Sequence, residues 1–345
     1  MTAVRARILI AVAVVVSLGT AIALTTGRGD DPVGAGRTWW VSAGADDGGD
    51  GSPSRPFVAI GSALASAGPG DRVVVGAGTY GPFATTRSGR PDAPIHVVGE
   101  GARIEGRGVG RVVEILHSYV TIENFDISQG DVLVRIVGVS GTRLIGNRLH
   151  DAGSECVRLR NGASDNELVG NQIERCGLRD FDLDADRKNG EGVYVGVAPE
   201  QLEEQAVADQ SNRNWIHDNR FHVVAECVDI KEGARQNRVE DNHCTGGEDP
   251  EGAGFSSRGD ETIFRGNVST DQAGAGIRLG GDEDDQGLRN EVIGNELTDT
   301  RGYAVKVERF PQGLICGNEV GGNDAGLTNG DVDPSQPCPS GAAPR

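Results

Sequence analysis

Residues Ala225–Gly233 read A-E-C-V-D-I-K-E-G, and four other segments repeat their grammar. Upstream stand S-E-C-V-R-L-R-N-G (Ser154–Gly162) and G-E-G-V-Y-V-G-V (Gly190–Val197). Downstream stand A-G-F-S-S-R-G-D (Ala253–Asp260) and A-G-I-R-L-G-G-D (Ala275–Asp282). Residues that alternate in polarity over so short a run describe a strand with two unlike faces. Aligned on the central apolar residue, the segments become rungs of one ladder. Glu155, Glu191 and Glu226 then fall in one column, and Arg158, Tyr194, Asp229, Ser256, Arg278 and Lys306 in a second. A third column holds Arg160, Gly196, Lys231, Arg258 and Gly280.

The period of the ladder is marked by Asn124, Asn147, Asn171, Asn219, Asn242, Asn267, Asn295 and Asn318, at gaps of 23, 24, 48, 23, 25, 28 and 23 residues. Repeats of this length, with strand patterning and no helix between strands, predict an all-β solenoid: a single-stranded right-handed parallel β-helix of roughly ten coils. A leucine-rich repeat would need a leucine consensus that is absent. All eight asparagines are assigned to one bend of each coil, where Asn tolerates left-handed backbone and its amide bonds the next amide along the stack. The 48-residue gap reads as one coil with two insertions, because Val197–Gln210 shows no alternation. The first insertion, Gly177–Asn189, carries Asp182, Asp184 and Asp186. It fails the calcium-loop pattern, having Arg187 where glycine is required and Val193 where glutamate is required. It and the Asp282–Asp285 run read as solvated acidic loops.

Ahead of the repeats, Thr38–Ala43 reads as a strand and Phe57–Ala67 as a helix, with Phe57, Ile60 and Leu64 on one face. Gly68-Pro69-Gly70-Asp71 ends it and a strand begins at Arg72–Val75. One short helix before a long strand array suits a cap over the open end of a solenoid. The expected organisation is residues 1–24 as signal peptide or N-terminal membrane anchor and 25–37 as linker. Residues 38–107 form the cap and first coils, 108–322 the β-helix repeats, and 323–345 a C-terminal tail. Arg5 and Arg7 ahead of an apolar run from Ile8 to Leu24 carry the targeting assignment, with Ala21-Ile22-Ala23 as a cleavage site. Either alternative exports the rest, so the protein is expected to be secreted or extracytoplasmic.

Glycine is abundant at 53 residues and aromatics scarce at 4%, which disfavours a helical or Rossmann-like core. A net charge of −18 excludes duplex nucleic acid as a partner. A monomer is expected, meeting a membrane only through its N-terminal segment. Six cysteines lie in the exported part and contain no C-x-x-C, so disulfides are expected rather than zinc ligands. Partners about one rung apart give Cys156–Cys176 and Cys227–Cys244, with Cys316–Cys338 tying the tail to the last rung.

The columns suggest chemistry. Glutamates stacked at about 4.8 Å repel one another, unless they are protonated or hold a cation between them. Glu226 shares its strand parity with Val228, so it reaches solvent only if the chain bends just before the strand. Asp229 lies close enough to join the cluster, whose oxygen donors suit Ca2+ better than zinc or copper. The plain alternative is a set of idle surface glutamates. Lys231 and Arg258 fall on adjacent rungs, where the arginine would lower the lysine pKa. They form either an acid–base pair or part of a basic stripe with Arg135, Arg158, Arg278 and Lys306.

Two stretches carry a family resemblance. The opening T-W-W-V-S-A-G-A-D-D-G-G-D-G-S-P (Thr38–Pro53) with P-G-D-R-V-V-V-G-A-G-T-Y (Pro69–Tyr80) resembles the amino-terminal cap of secreted bacterial β-helix proteins of the pectin-lyase-like class. Within Gly190–Gly281, E-C-V-D-I-K, A-G-F-S-S-R-G and G-A-G-I-R-L-G-G resemble, in order, the active-site coils of polysaccharide lyase family six, the alginate lyases and chondroitinase B. The resemblance implies a calcium-assisted lyase of acidic, uronate-containing polysaccharides. Lys231 would be its base and Arg258 its acid, and Glu226 and Asp229 would be calcium ligands, joined by Glu191 and Asn189 from the preceding coil. Arg278, Tyr194 and Arg160 are assigned to substrate binding. A non-catalytic glycan-binding or cell-surface β-helix is the competing class, and a uronate epimerase a third.

Overall fold

The computed structural model describes residues 36–202, 207–281 and 283–340. The N-terminal segment expected to direct export lies outside them, as does Asp282. Three parallel sheets of 11, 10 and 10 strands wind around one core, and the only antiparallel strand pair among the described residues is a two-stranded hairpin. Each coil runs from the first sheet through a sharp corner to a second, then to a third that carries the ladder segments. In one coil these are Arg143–Ile145, Arg148–Ala152 and Val157–Arg160. The fold is the expected right-handed parallel β-helix, of about ten turns.

Register follows the alternation. On the ladder sheet Val157 pairs with Val193, then Val228, Phe255, Ile277 and Val305 in successive coils, all buried. Leu144, Leu168, Ile216, Val239, Phe264 and Val292 make the equivalent stack on the first sheet. A slip of one residue would turn every such stack outward, so the apolar period itself fixes the pairing. The 48-residue gap is a single coil, since Glu167–Val169 pairs directly with Trp215–His217.

At one corner the asparagines form a continuous ladder. The Asn147 amide donates to Asn171 Oδ1 at 3.1 Å. The same bond recurs through Asn219, Asn242, Asn267, Asn295 and Asn318. Each Oδ1 also accepts the backbone N–H of the asparagine one coil earlier. The left-handed residue is the one before each ladder asparagine: Gly146, Gly170, Asp218, Asp241, Gly266, Gly294 or Gly317. Asn124 belongs to this turn row and not to the ladder; its own φ is 59° and the next N–H, of Phe125, meets Asn147 Oδ1 at 3.0 Å. A second amide row, Asn166–Asn214–Asn237, stands at another corner and carries the same paired bonds.

The helix spans Ile60–Ser66 and buries Ile60, Ala63 and Leu64 against the first coil. It starts three residues later than its pattern suggests, because Phe57 is held extended by a backbone bond to Trp40 O, its ring stacked 6.0 Å from Trp39. All three expected disulfides are present, with sequence separations of 20, 17 and 22 residues. Two of them root the ladder sheet: Cys156 and Cys227 each immediately precede a strand of it.

Candidate functional site

The ladder sheet carries a cleft of about 480 Å³ over its central coils. Its floor is the second and third columns: Tyr194 pairs with Asp229, Asp229 with Ser256, Ser256 with Arg278 and Arg278 with Lys306. Lys231 and Arg258 follow directly, each N–H bonded to the carbonyl of the preceding coil (Val195 and Ile230), so the third column holds its register beyond the strands. Its walls come from the two insertions. The first is a hairpin of Phe181–Asp182 and Arg187–Lys188 around a 3-10 turn, in which Asp182 caps Ala185 N at 3.2 Å. Asp182 therefore serves turn geometry. The hairpin delivers Lys188 and Asn189 to the cleft, and the second insertion delivers Glu200 within a 3-10 turn at Pro199–Gln201.

Glu191, Glu226 and Asp229 meet here, each offering a carboxylate oxygen within 4.8 Å of the others, and all three are buried. The chain does bend ahead of the strand, which starts only at Val228, so Glu226 escapes the inward parity of its position. Glu155, the third glutamate of the first column, is not in the group. It is neutralised by Arg158 Nη1 at 3.1 Å and accepts from Ser154 Oγ at 2.9 Å. Burial, reinforced by the neighbouring acids, pushes the Glu191 carboxyl up to about 8, although the Lys231 ammonium works against it. Glu226 is raised for the same reason, burial first and Asp229 second. Asp229 Oδ1 is buried with no hydrogen-bond partner. Three converging carboxylates, one orphaned oxygen and two carboxyls pushed toward the protonated form describe a site that a divalent cation would satisfy.

Lys231 donates from Nζ to Asp229 Oδ2 and lies 4.4 Å from the centre of the Tyr194 ring. The expectation that Arg258 lowers the lysine pKa is corrected in its outcome. Burial and Arg258 both act in that direction, but the Asp229 carboxylate and Tyr194 outweigh them and the ammonium is held above its usual range. Arg258 is buried and pairs with Glu232, Nη1 to Oε1 at 3.4 Å. Arg278 donates to Ser256 Oγ at 3.3 Å and to the Glu251 carbonyl at 3.1 Å.

Two residues expected to touch substrate lie elsewhere. Tyr194 is 1% exposed, its ring sandwiched between Lys231 and the Arg158 guanidinium 4.7 Å away, and its hydroxyl accepts from Ala198 N. It is the packing floor beneath the cations. Arg160 stands outside the cleft lining and donates to Asn161 Oδ1 at 3.2 Å. Conversely, Lys188, Glu200, Asp249 and Glu251 line the cleft without any signal from the repeat, since they sit on segments between its strands. Glu308, two residues beyond Lys306, occupies the third column, where sequence reasoning missed it. Lys188 Nζ reaches across to Glu251 and to Asp249 at 3.3 Å. Five cationic side chains (Lys188, Lys231, Arg258, Arg278, Lys306) face seven carboxyl groups (Glu191, Glu200, Glu226, Asp229, Asp249, Glu251, Glu308), a formal net of −2 when all are ionised.

Residues 189–332 match the model of the family described as periplasmic copper-binding protein (NosD). That window is under half of the chain, and it covers the cleft coils. None of the curated proteins matches. Among solved structures, an alginate lyase from Paenibacillus sp. str. FPU-7 superimposes with a TM-score of 0.66 at 22% identity, covering 84% of this chain and 99% of its own. The pectate lyase Pel9A gives 0.63 at 14% identity, covering 87% and 81%. A rhamnogalacturonan lyase gives 0.53 at 14% identity, covering 76% and 82%. At such identities the likeness establishes architecture alone: the chain shares the parallel β-helix fold of these structures.

Proposed function

We infer that the protein is an exported polysaccharide lyase that cleaves an acidic, uronate-containing polymer by β-elimination with calcium in the cleft. One observation carries this reading: Lys231, Arg258 and the Glu191–Glu226–Asp229 group share a single open cleft on three consecutive coils. Neighbours of the same fold that are named as alginate, pectate and rhamnogalacturonan lyases support the substrate class. Three disulfides support export.

The charge balance supports a cation. With Glu191 and Glu226 ionised, as cation ligands must be, the cleft is formally −2 and repels a polyuronate, and one divalent ion would bring it to neutrality. Glu191, Glu226 and Asp229 would hold the ion, with Asn189 beside them. The donors are hard oxygens, no histidine lines the cleft, and the six cysteines are all in disulfides, so the set fits calcium rather than copper. When bound, the ion would offset the charge that builds on the sugar carboxylate.

The chain's own residues then have defined tasks. Lys231, which Asp229 holds as the ammonium, acts once it is released as the free amine. It takes the proton alpha to the carboxylate, and the electron pair left behind forms the new carbon–carbon double bond as the glycosidic C–O bond breaks. Arg258, one coil along, donates hydrogen bonds to the departing oxygen, which receives its proton from Arg258 or from a water that Arg258 positions. Asp229 couples the two halves of the site, because the carboxylate that holds the Lys231 ammonium is also a member of the cation group. Arg278 and Lys306 extend the floor where further sugar carboxylates can bind. Stacked strands fix all of these groups with little reorganisation.

The second reading, a glycan binder without turnover, draws on the ion pairs that hold both Lys231 and Arg258. A screen of the purified protein with calcium against acidic polysaccharides separates them. A lyase produces the absorbance of an unsaturated uronate. Polymer retention without that absorbance overturns the lyase reading and establishes the binder.

A further inference from the structure

Glu232 directly follows the proposed base, yet its side chain is buried, at 3% exposure, and stands outside the cleft lining. A buried carboxylate needs partners, and neither of its oxygens has a hydrogen bond within the usual limits. What it has is the Arg258 guanidinium at 3.4 Å. The next coil adds a second constraint. A Cβ built on Gly281 would stand 2.3 Å from Arg258 Cδ and 2.6 Å from Cγ, so the aliphatic stem of the arginine occupies the space a side chain at 281 would need. Gly281 lines the cleft, and its backbone does not require glycine for conformational reasons, as its φ lies outside the left-handed region. Its missing side chain is therefore read as room for Arg258. The arginine is thus gripped at both ends, its head by charge and its stem by shape.

We propose that Glu232 is the positioning residue that, with the Gly281 vacancy, holds the Arg258 guanidinium in place at the cleft. The role in turnover rests on the lyase reading; the holding of the side chain does not. Buried charges that partner one another lose more when one is removed than when both are. Melting temperatures of the wild type, Glu232→Gln, Arg258→Gln and the double variant therefore test the grip without any substrate. The double variant is expected to melt well above the sum of the two single losses. Strictly additive losses would overturn the proposal.

Turnover supplies the second readout. Glu232→Gln is expected to lower kcat about 100-fold with KM little changed, the effect of a misplaced group rather than of lost binding. Added to Arg258→Gln, it should cost nothing more. Gly281→Ala should lower kcat in the same sense, because its Cβ displaces the Arg258 stem from the space it fills. A Glu232→Gln protein that is folded and turns over at the wild-type rate would overturn the proposal. A wild type inactive on every acidic polymer would instead overturn the lyase reading, and the melting cycle would still decide whether Glu232 grips Arg258.

Discussion

Along one corner of the solenoid seven asparagines, Asn147 to Asn318, stack coil upon coil, each amide giving to one neighbour and accepting from another. On the ladder sheet Glu191 and Glu226 stack in the same register, joined by Asp229, and offer acceptors only. An amide is its own complement, so repetition satisfies it. A carboxylate is not: burial, reinforced by the neighbouring acids, raises Glu191 and Glu226, and Asp229 Oδ1 is left without a partner. One geometric device, the superposition of equivalent residues, thus builds a self-sufficient edge and an edge completed from outside. The stability of the first supports the frustration of the second.

The largest effect expected from the incomplete edge is catalytic. Lys231→Ala should abolish detectable turnover, a loss on the order of 10³-fold or more, while polymer retention stays close to wild type. Rates of unsaturated-product formation beside a pull-down on the same polymer check it, with circular dichroism to confirm folding. A variant that still cleaves at an undiminished rate removes Lys231 from the chemistry.

On the complete edge the effect should be structural. Asn242→Ala strips the Asn219 N–H and amide of their acceptor and removes the side-chain donor to Asn267 Oδ1 and to the Ile216 and Glu240 carbonyls. Denaturant unfolding should show a loss of about 3 kcal/mol. Asn124→Ala, outside the ladder, should cost markedly less, and equal losses would dissolve the distinction between the two rows.

That distinction also marks where the sequence could be read and where it could not. Period and alternation made the coils, the disulfides and the in-phase columns legible, because each depends on backbone register alone. Asn124 was placed in the ladder because its spacing of 23 residues fits and because asparagine suits both an amide stack and a left-handed turn. The second row, Asn166–Asn214–Asn237, went unread since Thr142 and Thr262 interrupt its period. At the site, the floor columns were legible, whereas Lys188 sits on the first insertion and Asp249 and Glu251 on the loop ahead of Ala253, where no repeat is obeyed. The pairing of Lys231 with Asp229 was hidden too. Residues two apart on a strand share a face, but which neighbour wins the lysine depends on burial that no spacing encodes.

A smaller expected effect concerns the cation. Calcium at about 100 times its dissociation constant should stabilise the protein by about 2.7 kcal/mol, seen as a raised melting temperature that a chelator reverses. Glu226→Gln should weaken this response, and excess calcium should partly restore it. A melting temperature indifferent to both calcium and chelator would place the carboxylate edge on the same footing as the amide edge.

The mildest effect is on pH. Glu191 takes its proton at about 8 in the native state, against 4.5 for an ordinary glutamate. The native state therefore binds a proton that the unfolded chain releases, and calcium-free stability should fall as pH rises from 4.5 to about 8. Glu226, also raised, adds to the slope. Asp229, lowered by Lys231 against its burial, contributes stability that is lost only as pH falls below the range of an ordinary aspartate, outside this window. Melting curves across the range should show the decline without calcium and a flatter profile with it; a rise would invert the assignment.

The most direct measurement is calorimetric titration of the purified protein with Ca2+, run in parallel on Glu226→Gln/Asp229→Asn and on Asn242→Ala. The expected result is one saturable site in the wild type, lost in the carboxylate variant and retained in the ladder variant. A wild type with no calcium heat, or a carboxylate variant that binds as tightly as the wild type, would contradict the cation site in the cleft.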